Sequence, residues 1–106
     1  MEHLHYRYEG GQSVRQASAQ LVGVVASGNL EILIEPAALN GACEIDIDTA
    51  ARGFGQIWQA VMNDFFARHE LADVHISIND NGATPAIVNL RLDQAVQAFR
   101  QQGAPA

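Results

Sequence analysis

Hydrophobic and polar positions alternate with a period of two in several short stretches of the chain, and with a helical period in the longer segments between and after them. Residues 3 to 8 set Leu4, Tyr6 and Tyr8 against His3, His5 and Arg7, which predicts a short strand. Two β-rich runs follow, "LVGVVA" at 21–26 and "LEILIE" at 30–35, separated by turn-forming residues. They read as a hairpin whose two-residue loop is either Ser27-Gly28 or Gly28-Asn29, the second suiting a turn that wants glycine first. Either choice places Leu21, Val25, Leu30, Ile32 and Ile34 on one face, and Pro36 ends the second strand. "CEIDID" at 43–48 and "VHISIN" at 74–79 alternate strictly. Both predict strands with one covered and one wet face. Residues 9–19, "EGGQSVRQASA", have no period and read as a loop.

Phe54, Ile57, Trp58, Val61, Met62, Phe65 and Phe66 form a broad apolar stripe on a helix over residues 54–69. A second helix is expected from Thr84-Pro85, a capping residue followed by a proline suited to the first helical position, to about Gln101. It would bury Val88, Leu92, Ala95, Val96 and Phe99. A competing hairpin through Asn81-Gly82 would turn Val88 and Leu90 away from the face carrying Ile76, so the helix is favoured. The resulting fold class is α+β, a two-layer sandwich in which two amphipathic helices cover one face of a small, mainly antiparallel sheet. Residues 1–106 are expected to form a single domain, with 9–19 as a loop and 102–106 as a loose tail.

Composition narrows the function classes. A hydrophobic fraction of 48% suits a packed core rather than a disordered chain. The net charge of −6, with arginines spread thinly and no lysine, argues against nucleic acid and suits docking onto basic protein surfaces. No apolar run is long enough to span a membrane, and the N-terminus lacks a signal-peptide pattern. The single cysteine, Cys43, excludes an internal disulfide and fits a cytoplasmic location.

Side chains capable of chemistry are sparse. His3-x-His5 would put two imidazoles on one side of a strand, but no third ligand is identifiable, so no metal site is expected. Cys43 falls on the buried phase of its strand and reads as a core residue. His75, on the polar phase, reads as a surface residue, and His69 sits near a helix end where a cation is favoured. Glu44, Asp46 and Asp48 form a carboxylate row on the wet face, either for solubility or for docking. "RGFG" at 52–55 lacks the phosphate-loop pattern and reads as the loop before a helix. Ser27 lies in a turn, with no base placed beside it by sequence. No catalytic residue is identified.

"LVGVVASGNLEILIEP" followed by "NDNGATPAIVNLRLDQAVQAF" resembles the acyl carrier (delta) subunits of bacterial malonate decarboxylase, as do the opening "MEHL" and the length. The likeness covers most of residues 20–100. A more distant one, to the gamma (acyl carrier) subunit of citrate lyase, rests on the Ser-Gly turn and on Gly82-Ala83 with Arg91-Leu92-Asp93. The resemblance implies a covalent 2'-(5''-phosphoribosyl)-3'-dephospho-CoA arm, joined by a phosphodiester to Ser27, with Gly28 permitting the turn. It further implies that the arm carries acetyl and malonyl thioesters and that the chain itself is not an enzyme. The implied partners are transferase and decarboxylase subunits, a malonyl transferase and a prosthetic-group transferase, with neither nucleic acid nor membrane. The runner-up readings are a citrate-lyase-type carrier and an interaction module in which Ser27 is only a turn residue. Ordinary acyl carrier proteins are helical bundles with Asp-Ser-Leu at a helix start, and neither feature is present.

Overall fold

A computed structural model describes residues 1–13, 22–27 and 29–103 of the chain, with 12–13, 22–27 and 101–103 described by their backbone. These residues form, in order, β1 (Glu2–Tyr8), β2 (Gln12–Ser13), β3 (Val22–Ser27), β4 (Leu30–Pro36), β5 (Cys43–Thr49), α1 (Gly55–His69), β6 (Leu71–Ala72), β7 (Val74–Asp80) and α2 (Pro85–Gly103). The main sheet has the order β1-β5-β7-β4-β3. β5 and β7 are parallel, and the other neighbouring strands pair antiparallel. The α+β sandwich is the architecture expected from the alternating pattern.

The period-two stretches of β4, β5 and β7 bury the side chains they were expected to bury, whereas Leu21 and the side chain of Val25 lie outside what is described. Ile32 and Ile34 on β4, Cys43, Ile45 and Ile47 on β5, and Val74, Ile76 and Ile78 on β7 are all essentially inaccessible. Against this face pack Trp58, Met62 and Phe65 from α1 and Val88, Leu92, Ala95, Val96 and Phe99 from α2. The 84–85 signal for α2 holds, because the Thr84 hydroxyl accepts the Ile87 N–H at 3.3 Å with Pro85 opening the helix. The hairpin alternative at Asn81-Gly82 is therefore excluded. Gly82 instead takes a φ of 104°, which lets the chain turn from β7 into the helix. At the outer edge, the Tyr8 ring stacks on Phe66 at 4.9 Å.

Three expectations need correction. The stretch 9–19 contains β2, which pairs parallel with β6. Its approach is so close that a Cβ on Gly11 would lie 2.3 Å from the Leu71 carbonyl oxygen. α2 runs on to Gly103, so only 104–106 of the expected tail lie outside the described residues, as do 14–21. Finally, Phe54 and Ile57 are 46% and 45% exposed rather than part of the buried stripe.

Candidate functional site

Ser27 is the last residue of β3 and pairs with Leu30, the first residue of β4. That register leaves residues 28 and 29 between the strand ends, which selects the Gly28-Asn29 loop of the two considered. Gly28 itself lies outside the described residues. Leu30 also pairs, on its other side, with Asp80 at the end of β7. The hairpin is tied to the β7–α2 loop because Asn81 donates its N–H to the Asn29 carbonyl at 2.8 Å.

Beneath this end lies a buried polar pair that the sequence reading did not identify. Thr49 and Asp80 are 0% and 6% exposed. The Thr49 hydroxyl donates to Asp80 Oδ2 at 2.8 Å and accepts the Ala51 N–H at 3.2 Å. Asp80 Oδ1 accepts the Ala83 N–H at 2.8 Å. The signal was available, since carrying the alternation one step further places Thr49 after Ile45 and Ile47, and Asp80 after Ile76 and Ile78, on the covered face. A buried polar group needs partners, and this pair supplies them while fastening two loops to the sheet.

Two hollows flank the same end. On the helix side, a groove of about 270 Å³ is lined by Phe54, Ile57, Trp58 and Val61 of α1 and its lead-in, with Ala83 and Val88 opposite. On the open face a shallow hollow is lined by Asn29, Glu31, Asp48, Asn79 and Asn81 together with Met1 and Leu30.

The open face of the sheet is a ladder of acidic side chains paired with arginine and histidines rather than a bare acidic row. Register sets Arg7 opposite Glu44, His5 opposite Asp46 and His3 opposite Asp48. Arg7 bonds Glu44, and the His5 and His3 Nδ1 atoms lie 2.8 Å from Asp46 and Asp48. His75, expected as a plain surface residue, is half-buried, with Nε2 2.7 Å from the second oxygen of Asp46. Burial would raise the Asp46 pKa, but hydrogen bonds from His75 and His5 outweigh that and hold it below the ordinary carboxylate value. His3 is raised, chiefly by its hydrogen bond to Asp48. Among the described residues, no group of three or more His, Cys, Asp or Glu is arranged to hold a metal ion. Cys43 is buried, and burial pushes its thiol up to about 12, as suits a core residue. His69, at the end of α1, contacts Asp93 at 2.8 Å and lies against Phe65. "RGFG" leads into α1, as read from sequence, with its last residue, Gly55, opening the helix. No helix among the described residues is long and apolar enough to cross a membrane.

Comparison with known proteins gives consistent matches. The family model described as "Malonate decarboxylase delta subunit (MdcD)" matches residues 17–99. A malonate decarboxylase acyl carrier protein of Stenotrophomonas maltophilia (strain K279a) is 65% identical over 93% of this chain and 94% of its own. One from Xanthomonas campestris pv. campestris (strain B100) is 62% identical over the whole of both chains. One from Burkholderia cepacia is 55% identical over 90% of this chain and 87% of its own. Among solved structures, a chain of a Pseudomonas malonate decarboxylase hetero-tetramer in complex with malonate superposes with a TM-score of 0.73 at 37% identity. The match covers 97% of this chain and 100% of that one.

Proposed function

The chain belongs to the malonate decarboxylase acyl carrier (delta subunit) family, and from that premise we propose that Ser27 bears the covalent arm on which the complex carries its acyl groups. The arm is 2'-(5''-phosphoribosyl)-3'-dephospho-CoA, held by a phosphodiester to the Ser27 hydroxyl. When attached, it supplies a thiol that holds acetyl or malonyl groups as thioesters. The chain is a non-catalytic subunit. Its partners are the transferase and decarboxylase subunits, a malonyl transferase, and the transferase that installs the arm, and its location is the cytoplasm.

The observation that supports this reading is the position of Ser27. A serine offers the hydroxyl that a phosphodiester requires, and this one closes a strand beside a two-residue connection. Glycine at 28 adds no side chain to obstruct a modifying enzyme. What the chain does for the arm is hold its base still. The Asn81 N–H grips the Asn29 carbonyl, and the Thr49–Asp80 pair anchors the loops on either side. A fixed base makes each delivery an intramolecular event, with effective concentration set by the arm's length. The malonyl and acetyl assignment is preferred to a citryl one because the matching relatives are malonate decarboxylase carriers.

Intact-mass spectrometry with peptide mapping, on protein co-expressed with its modifying enzyme, tests the reading. The mass of the arm should appear on the peptide containing Ser27 and be lost in Ser27→Ala. An unmodified Ser27 in the presence of an active modifying enzyme would return it to a turn residue.

A further inference from the structure

Phe54 and Ile57 are large, apolar and about half exposed, and neither the core nor the attachment of an arm accounts for them. Scattered exposed apolar residues need no explanation. These two, however, rim a groove whose floor and walls include Trp58, Val61, Ala83 and Val88.

Its place in the fold says what could reach it. Asp80 forms part of the wall and pairs with Leu30, which pairs with Ser27. Two strand spacings separate Ser27 from the groove wall, roughly 10 Å across the sheet. That is well within reach of a flexible arm rooted at Ser27.

The chemistry of the lining says what it would accept. The two oxygens of the one carboxylate present, Asp80, already accept the Thr49 hydroxyl and the Ala83 N–H. Among the described residues none that lines the groove is a cation, so a second carboxylate entering it would lose its hydration without gaining a partner. At about 270 Å³ it falls just below the roughly 300–1,000 Å³ of pockets that enclose a drug-sized ligand. It has room for the end of a chain and not for a nucleotide. The hollow on the other side of the hairpin, although Met1 and Leu30 contribute to its lining, carries Glu31 and Asp48, which repel an anionic group.

We propose that the groove between α1 and the start of α2 holds the uncharged, acetyl-capped end of the arm on Ser27 and excludes the malonyl-capped end. The inference rests on the carrier reading given above. It makes the carrier's own surface distinguish the two loaded states. The acetyl thioester is kept out of water between cycles, and the malonyl thioester, with its free carboxylate, stays in solvent where a partner can take it.

The test uses the arm-bearing chain with its loading state fixed by intact mass. Methyl NMR follows Ile57 and Val61, with Ile45 on β5 as a methyl outside the groove lining, and the indole of Trp58, the chain's one tryptophan, gives a second signal. Acetyl loading should shift the groove signals, produce cross-peaks from the acetyl methyl to Ile57, and leave Ile45 unmoved. Malonyl loading should return the groove signals to their arm-free positions. In Ile57→Glu, a change at an exposed site, the acetyl-dependent shifts of Val61 and Trp58 should vanish while the mass added by loading is unchanged. A loaded chain with no groove shifts, or with equal shifts in both forms, overturns the inference and leaves the carrier reading standing. Shifts that arise only when the other subunits are added would also overturn it, making the groove a partner surface. A chain that is never modified sinks both.

Discussion

The Thr49–Asp80 pair gives the sharpest test of how the hairpin end is held. Thr49→Val keeps the shape and β-branching of the side chain and removes only the hydroxyl. Asp80, only 6% exposed, then loses the 2.8 Å donor to its Oδ2, and the Ala51 N–H loses its acceptor at 3.2 Å. A hydrogen bond to a charged group is worth about 1.5–3 kcal/mol. The extra methyl buried in place of the hydroxyl returns about 0.8 kcal/mol. The net loss should be about 1–2 kcal/mol. With an unfolding entropy of roughly 2.1 cal/mol/K per residue, a chain this long loses about 4–5 °C in Tm per kcal/mol. The midpoint should therefore fall by about 5–9 °C. Thermal unfolding reads the midpoint, and urea unfolding followed by Trp58 fluorescence reads the loss of about 1–2 kcal/mol, with an unaltered m-value. Ser77→Ala, on the open face of β7, is the control and should stay within about 0.5 kcal/mol of wild type. A Thr49→Val protein as stable as the control would refute the claim that this hydroxyl satisfies a buried carboxylate.

Two further outcomes follow from the same geometry. Because hydrogen bonds from His75 and His5 hold Asp46 below its ordinary value of 3.8, its stabilising contribution is present above that value and is lost as the pH falls through the lower, folded one. The urea-midpoint gap between wild type and Asp46→Asn, about 1 kcal/mol or less for so accessible a pair, should be full near neutral pH and should close in acid. A gap that widened in acid would contradict the assignment. The Cys43 thiol, buried and pushed up to about 12, should resist a thiol reagent near neutral pH in the native protein and react fully in denaturant. Rapid native labelling would show that β5 opens far more readily than its position in the sheet allows.

Much of the fold was legible because its signals are local. Strict alternation over "CEIDID" and "VHISIN" states both the strand and its buried face, and Thr84-Pro85 states where α2 begins. Contacts between segments were not legible. The two-residue strands β2 and β6 are too short for any period, and what joins them is a close backbone approach that Gly11 permits. His75 looked like a surface residue because its partner, Asp46, is brought beside it only by the parallel pairing of β5 with β7. Phe54 and Ile57 matched the apolar stripe, yet periodicity alone does not say which residues of a stripe a neighbouring element covers. Ser27 belongs to the same class. Its sequence reads as a turn like many others, whereas it closes β3, and the interest it holds comes from the resemblance and from the register that pairs it with Leu30, the partner of Asp80.

That register also explains why the groove, the hairpin and the buried pair lie together. β5 and β7 are parallel, so both reach their C-terminal ends at the same edge of the sheet. β4 runs antiparallel to β7, so it starts at that edge and the β3–β4 connection turns there. α1 and α2 each begin just after a strand that ends there. One edge of the sheet thus collects the loops, where substitutions are cheap, while the isoleucine-rich strands and the buried helix faces carry the stability. Thr49 and Asp80 are the place where the two roles meet. They complete the buried rows of β5 and β7, and they also hold the loops among which an arm on Ser27 would move.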